Sequence, residues 1–88
     1  SLLPQIDALV VVGGRDSNNT RQLVVRGERC GLATLHVENA GELVAGWFEG
    51  RERIGLTAGT STLPATIEAV DTKLRGFAAV QKPSPASR

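Results

Sequence analysis

The chain has 88 residues, a length that suits one domain with one hydrophobic core and excludes a second catalytic domain within it. Hydrophobic residues make up 41% and charged residues 22%, which is typical of a folded globular protein. Ten Lys and Arg against nine Asp and Glu leave a net charge of +1, which argues against a nucleic-acid-binding protein.

The first predicted strand covers residues 6–12, a nearly continuous apolar and β-branched run that ends at Gly13. Such runs are typical of parallel strands that are buried on both faces. A helix over residues 20–30 is predicted to follow, because N-cap residue types precede it and Gly31 suits its end. The spacing places Cys30 on the inner face of this helix, so we expect its thiol in the core.

The rest of the chain repeats the alternation of strand and helix. Residues 33–37 alternate with period two and predict a second strand, residues 40–49 predict a short helix, and residues 53–57 predict a third strand. Residues 60–62 are N-cap types and predict the start of a second long helix. The apolar residues of that helix recur at helical spacing and predict one buried face: Ile67, Val70, Leu74 and Phe77.

The order βαβαβα predicts an α/β fold, a three-layer α/β/α arrangement around a short parallel sheet of about three strands in the order 2-1-3. We expect residues 1–5 to be an N-terminal extension and residues 6–80 to form a single α/β module. Residues 81–88 are rich in Pro and Ser, so we expect them to be a disordered tail.

Two loops leave neighbouring strands at their carboxyl ends in this arrangement, residues 13–19 and residues 58–62. Both lead into a helix N-terminus, where unpaired N–H groups and the positive end of the helix dipole favour an anion. Neither loop contains the three-glycine dinucleotide fingerprint or a P-loop. The Ser, Thr and Asn residues of these loops could therefore bind a phosphate group, or they could be ordinary helix caps.

The residue types that bind metals are scarce. One cysteine cannot form an intramolecular disulfide, a four-cysteine zinc site or a self-contained iron–sulfur cluster. His36 is the only histidine, and no metal-binding residue accompanies it at ligand spacing, so we predict no metal site.

No apolar run approaches the roughly 18 residues of a membrane span. We expect a cytoplasmic module without a membrane or nucleic-acid partner.

A resemblance to a known family is carried by residues 11–23, VVGGRDSNNTRQL, and residues 54–62, IGLTAGTST. Together they resemble the C-terminal module of 4-hydroxy-3-methylbut-2-enyl diphosphate reductase, the LytB-type family of the non-mevalonate route to isoprenoid precursors. The similarity runs over about residues 6–77. It implies an oxidoreductase with a [4Fe–4S] cluster in the full-length enzyme, no cofactor in this chain, and a diphosphate-binding role for the module.

The resemblance also implies which residues bind the substrate diphosphate: Ser17, Asn18, Asn19 and Ser61, with Arg15 and Thr60 in supporting positions. Two positions depart from the family's usual pattern. Asn18 stands in the middle of a first loop that usually reads Ser-Ser-Asn, although its amide can still donate. Pro64 comes one residue later than in the usual Ser-x-Pro of the second loop. The family's cluster cysteines and proton-donating acids have no counterpart in these 88 residues.

Two functional classes remain open at this point. The first is the substrate-diphosphate-binding domain of an iron–sulfur reductase, inactive on its own because other domains supply the chemistry. The alternative is a stand-alone nonenzymatic α/β module that binds a phosphorylated ligand or a protein partner. The expected partners are a diphosphate-bearing small molecule and either the missing N-terminal domains or a second copy of the chain, since an open sheet has two exposed edges.

Overall fold

The computed structural model of the chain describes residues 6–51, 53–77 and 79–81. The predicted extension at residues 1–5 and the predicted tail from residue 82 onwards lie outside this described part. Its elements in chain order are β1 (Ala8–Val12), α1 (Asn18–Arg29), β2 (Ala33–Val37), two 3-10 turns (Ala40–Glu42 and Ala45–Phe48), β3 (Arg53–Ala58), α2 (Pro64–Arg75) and β4 (Ala79–Gln81).

The described strands form one parallel sheet in the order β2-β1-β3-β4. The predicted α/β class and the 2-1-3 order are therefore confirmed. A short fourth strand extends the sheet beyond β3, with Ala79 opposite Arg53 in register. Gln81 was predicted to belong to the tail, since a strand of three residues is too short to show a period of two.

The segment at residues 40–49 is not the predicted helix. Its two 3-10 turns are separated by extended backbone at Leu43 and Val44, whose ψ angles are 132° and 119°. Gly41 and Gly46 lower the helix propensity of this short segment, and the β-branched Val44 lowers it further. The second crossover of the sheet is therefore made by turns rather than by a helix.

The larger core lies between the sheet and the layer formed by the 3-10 turns and α2. Alternate residues of β1, namely Ala8, Val10 and Val12, are fully buried on this face. Full burial of a Val, Leu or Ile side chain stabilises the fold by about 1.5–3 kcal/mol relative to an exposed one. The remaining buried members of this core are Val37, Leu43, Phe48, Ile54, Leu56, Val70 and Leu74.

Helix α1 covers the opposite face of the sheet. Gly27 allows the close approach, because a Cβ atom there would lie 2.7 Å from Leu9 Cδ2 and from Thr34 Oγ1. Cys30 is exposed at the C-cap of α1, so its predicted place in the core is wrong. The chain turns there through Gly31, whose φ of 80° suits glycine, and the turn carries Cys30 off the inner face.

Helix α2 starts at Pro64, whose missing N–H is tolerated in a first turn. Its N-cap is Leu63, which forms no side-chain cap. The prediction that residues 60–62 supply the cap is therefore wrong, and the Thr62 hydroxyl instead donates to the carbonyl oxygen of Val12 at 3.1 Å. Neither helix of the described part is long and apolar enough to cross a membrane.

Candidate functional site

The carboxyl ends of β1 and β3 lie side by side in the middle of the sheet, with Val12 opposite Ala58. From β1 the chain crosses through α1 to β2 on one side, whereas β3 lies on the other side. Such a reversal of winding is the point at which open parallel sheets bind ligands. The loops after β1 and β3 both start at this point, and they lead into α1 and α2.

The first loop runs into helix α1, whose N-cap is Ser17. Ser17 Oγ accepts a hydrogen bond from the backbone N–H of Thr20 at 3.2 Å. This bond uses a lone pair, so the hydroxyl hydrogen can still be donated. Asn18 and Asn19 are the first two residues of the helix, where backbone N–H groups lack intrahelical acceptors. The Ser17 hydroxyl and the backbone N–H groups of this first turn are therefore potential donors at the N-terminus of α1.

A hydrogen bond joins the first loop to the second. The backbone N–H of Thr60 donates to Oδ1 of Asn19 at 3.0 Å. Because an N–H group needs an acceptor, the atom of Asn19 that faces Thr60 is its carbonyl oxygen, and its NH₂ group lies on the other branch of the amide. The structure thus brings Asn19 and Thr60 together, and Ser61 is the next residue of the second loop.

The second loop is fixed to the end of β1 through its backbone. Gly59 N–H donates to the carbonyl oxygen of Val12 at 3.0 Å, and Thr62 N–H donates to the carbonyl oxygen of Gly59 at 3.1 Å. Ser61 is exposed within this turn and lies two residues before the N-cap of α2. Its hydroxyl is therefore not a helix cap, in contrast to that of Ser17.

Arg15, a supporting residue in the sequence analysis, has its guanidinium turned towards two carboxylates. Its Nη1 lies 2.9 Å from Glu38 Oε1 and its Nη2 lies 3.2 Å from Glu42 Oε1. The backbone N–H of Arg15 also donates to Glu38 Oε2 at 2.9 Å. The hydrogen bond to Glu42 is the main cause of a raised pKa of Arg15. The Arg15 guanidinium is therefore held by Glu38 and Glu42, and its side chain remains 56% exposed.

The carboxylate of Glu42 also accepts a hydrogen bond from the backbone N–H of Glu38 at 2.9 Å. This bond, followed by the one from Arg15, lowers the pKa of Glu42. Glu42 was not among the residues predicted for the site, because no sequence motif singles it out. His36 supports the same loop, since its Nε2 lies 2.8 Å from the carbonyl oxygen of Gly13.

Comparison with known proteins places this chain in a family. The family model described as LytB protein matches residues 1–75. The chain is 46% identical over 76 residues to a protein of Solidesulfovibrio magneticus named 4-hydroxy-3-methylbut-2-enyl diphosphate reductase. It is 38% identical over 74 residues to a protein of the same name from Aquifex aeolicus. These matches cover 86% and 84% of this chain but only 27% and 26% of the relatives.

Solved structures show the same similarity. One, described as (E)-4-hydroxy-3-methyl-but-2-enyl diphosphate reductase, the terminal enzyme of the non-mevalonate pathway, superposes with a TM-score of 0.77 at 37% identity. The superposed region covers 81% of this chain and 25% of the reductase chain. A Plasmodium falciparum reductase has the same fold, with a TM-score of 0.80 at 20% identity, over 88% of this chain and 25% of its own. The chain therefore belongs to the LytB protein family and corresponds to about a quarter of the length of these relatives.

Proposed function

We propose that this chain binds the diphosphate group of the substrate of a 4-hydroxy-3-methylbut-2-enyl diphosphate reductase. The observation that carries the proposal is the hydrogen bond from Thr60 N–H to Asn19 Oδ1. It holds the loop after β1 against the loop after β3 at the switch point of the sheet. It also commits the oxygen of the Asn19 amide to the protein, which leaves the NH₂ group as the part that donates.

The proposed donors are the Ser17 hydroxyl, the side-chain NH₂ of Asn19 and the Ser61 hydroxyl, with Asn18 at the first position of α1. All of them are neutral, and a hydrogen bond from a neutral donor to a charged oxygen contributes about 1.5–3 kcal/mol. The positive end of the α1 dipole adds to their effect. The chain's part in the reaction is to bind and orient the diphosphate, while Arg15 holds the first loop through Glu38.

An iron–sulfur cluster does not fit the residues of this chain alone. The sequence contains a single cysteine, Cys30, which lies exposed at the end of α1 rather than at the switch point. Within the described residues, no three His, Cys, Asp or Glu side chains are grouped to hold a metal ion. Clusters of this kind usually take several thiolates. We therefore propose that the cluster and the proton donors of the reductase come from outside these 88 residues, and that the isolated chain is inactive.

The partner that fits this proposal is the remaining part of the reductase. Relatives extend over roughly three quarters of their length beyond the matched region. Large apolar side chains that are exposed here suit burial against such a partner, and Leu63 is 68% and Val44 61% exposed. Leu63 immediately precedes α2, next to the second loop. A second copy of the chain is the other candidate for this contact.

Titration of the ¹⁵N-labelled 88-residue chain with pyrophosphate tests the proposal. We expect the amide signals of residues 17–19 and 60–61 to move together, with a dissociation constant on the order of 1 mM, because a site open to water binds weakly. Asn19→Asp is the sharpest variant, since it retains the acceptor for Thr60 N–H and replaces the donating NH₂ by a charged oxygen. It should weaken binding at least about tenfold.

Asn39→Asp is the matched control, because it makes the same chemical change at an exposed asparagine in the loop after β2. This control should bind pyrophosphate within about twofold of the unsubstituted chain. The proposal is overturned if both loops stay unmoved by pyrophosphate. It is equally overturned if Asn19→Asp and Asn39→Asp bind with the same affinity as the unsubstituted chain.

A further inference from the structure

The third residue of α1, Thr20, is 0% exposed although its side chain is polar. It occupies the space between the glycines that end β1 and β3. A Cβ atom built on Gly13 or on Gly59 would overlap Oγ1 of Thr20. Neither glycine has a positive φ, so their small size rather than an unusual backbone is what this contact requires.

The hydroxyl group of Thr20 has no hydrogen-bond partner among the described residues. Burial of such a group lowers stability. One of the two Cα hydrogens of each glycine lies along the direction of the missing Cβ atom and therefore faces Oγ1. Weak contacts of this kind suit an oxygen with its lone pairs and its small radius. A methyl group in the same place would be larger and could accept nothing.

We propose that Thr20 is a positioning residue of the proposed diphosphate site. Its hydroxyl oxygen sets the distance between the first turn of α1, which carries Asn19, and the loop after β3, which carries Ser61. This inference rests on the proposed function. Thr20 itself is too deeply buried to contact the anion, so it acts through the residues around it.

Three contacts transmit the position of Thr20 to the proposed ligands. Its backbone N–H donates to Ser17 Oγ at 3.2 Å, which orients the hydroxyl of the N-cap. The preceding residue, Asn19, accepts from Thr60 N–H at 3.0 Å. Gly59, against which Oγ1 packs, donates its N–H to the carbonyl oxygen of Val12 at 3.0 Å and so keeps the second loop at the sheet. A displaced Thr20 would move all three.

The test compares Thr20→Ser, which keeps the oxygen, with Thr20→Val, which replaces it by a methyl group. The first readout is the chemical shift and solvent-exchange rate of the Thr60 amide in the free chain. The second is the dissociation constant for pyrophosphate from NMR titration. Thr20→Ser should leave the chemical shift of the Thr60 amide in place. Its solvent-exchange rate and the dissociation constant for pyrophosphate should stay within about twofold of those of the unsubstituted chain. Thr20→Val should release the Thr60 amide and weaken pyrophosphate binding about tenfold, while the amide signals of β1 and β2 stay in place.

A purely structural role predicts a different result. In that case Thr20→Val changes only the melting temperature, and retention of the Thr60 amide signal and of pyrophosphate affinity would overturn the inference. If Thr20→Val does not fold, Thr20→Ala replaces it, because alanine cannot overpack the site. It is expected to give the same increase in the solvent-exchange rate of the Thr60 amide. Failure of the unsubstituted chain to bind pyrophosphate would overturn the proposed function. The chemical shift and exchange rate of the Thr60 amide would then still test whether Thr20 positions Asn19: a change in Thr20→Val supports it, and no change overturns it.

Discussion

The side-chain oxygen of Asn19 accepts a 3.0 Å hydrogen bond from the backbone amide of Thr60, 41 positions further along the chain. This contact joins two loops that the sequence separates by a helix, two strands and two 3-10 turns. It also fixes the orientation of the Asn19 amide, because only its oxygen can accept from an N–H group. The remaining donor of that amide is then held in one place relative to the second loop.

The packing of the two loops predicts an unusual sensitivity to a single methyl group. Gly59→Ala should lower the free energy of unfolding by about 1–3 kcal/mol, because the added Cβ would overlap Thr20 Oγ1 and the tightly packed contact cannot absorb it. Chemical denaturation of the 88-residue chain measures this loss. Gly14→Ala is the matched control: nothing lies within 4 Å of its Cβ position, and the expected change is neutral to slightly stabilising.

Removing the opposing atom should rescue the Gly59 variant. In Gly59→Ala/Thr20→Ala the new methyl group meets the Cβ of residue 20 and Oδ1 of Asn19, each at an ordinary contact distance of 3.5 Å. The double variant should therefore lose less unfolding free energy than the two single variants lose in sum, because substitutions at contacting residues are not additive. Strict additivity of the two changes would show that the Thr20–Gly59 contact does not limit the packing.

The strands were predictable because burial on both faces requires continuous apolar runs, and residues 6–12 contain one. At residues 40–49 a helix was predicted and two 3-10 turns are found. The apolar residues there are spaced as in a helix, but Gly41 and Gly46 favour turns. Cys30 was misplaced for a similar reason. Its spacing from Gly27 suits the inner face, but the helix ends before Cys30 and the periodicity no longer applies there.

The location of the candidate site followed from topology, because the 2-1-3 order alone puts the loops after β1 and β3 side by side. The partners of individual atoms did not follow. Thr62 resembles a helix cap in the sequence, yet its hydroxyl bonds to Val12 of the neighbouring strand. Arg15 resembles a phosphate ligand, yet two carboxylates from the loop after β2 hold its guanidinium. The hydrogen-bond and ion-pair partners of these side chains depend on distances between segments that are set only when the sheet has formed.

The hydrogen bonds that the Glu42 carboxylate accepts from the Glu38 backbone N–H and from Arg15 predict a specific dependence of stability on pH. The pKa of Glu42 is below its usual value of 4.5, so its contribution is complete above that value and is lost as the pH falls through the folded-state pKa. Glu42→Gln should therefore melt at a lower temperature than the unsubstituted chain near neutral pH, and the difference should vanish in strong acid. Thermal denaturation between about pH 7 and 2 measures it.

Glu28→Gln is the control for the change in net charge, because Glu28 is an exposed residue of α1 on the other side of the sheet. Its melting temperature should differ little from that of the unsubstituted chain at any pH. A Glu42→Gln difference that persisted unchanged in strong acid would contradict the role of the ionised carboxylate. The same conclusion would follow if Glu28→Gln reproduced the effect.

The thiol content predicts the outcome of reconstitution with iron and sulfide. The isolated chain should not acquire a [4Fe–4S] cluster, because one cysteine cannot replace the several thiolates that such a cluster requires. Visible absorption and iron analysis after gel filtration measure this. Cys30→Ser is the control and should give the same background of bound iron. One cluster per chain in the unsubstituted protein, absent from Cys30→Ser, would contradict the prediction.

The serines of the two loops give the most direct test of the site in catalysis. In a full-length reductase that carries this module, Ser17→Ala and Ser61→Ala should each lower kcat/KM by about tenfold or more, since each removes one hydrogen bond to a charged oxygen. The cluster absorption should be unchanged, because neither serine belongs to the cluster. Thr72→Ala, which removes an exposed hydroxyl from α2, is the control and should leave the kinetics intact. If the serine variants keep full kcat/KM, the diphosphate is bound elsewhere. If they instead lose the cluster, their effect is on assembly rather than on substrate binding.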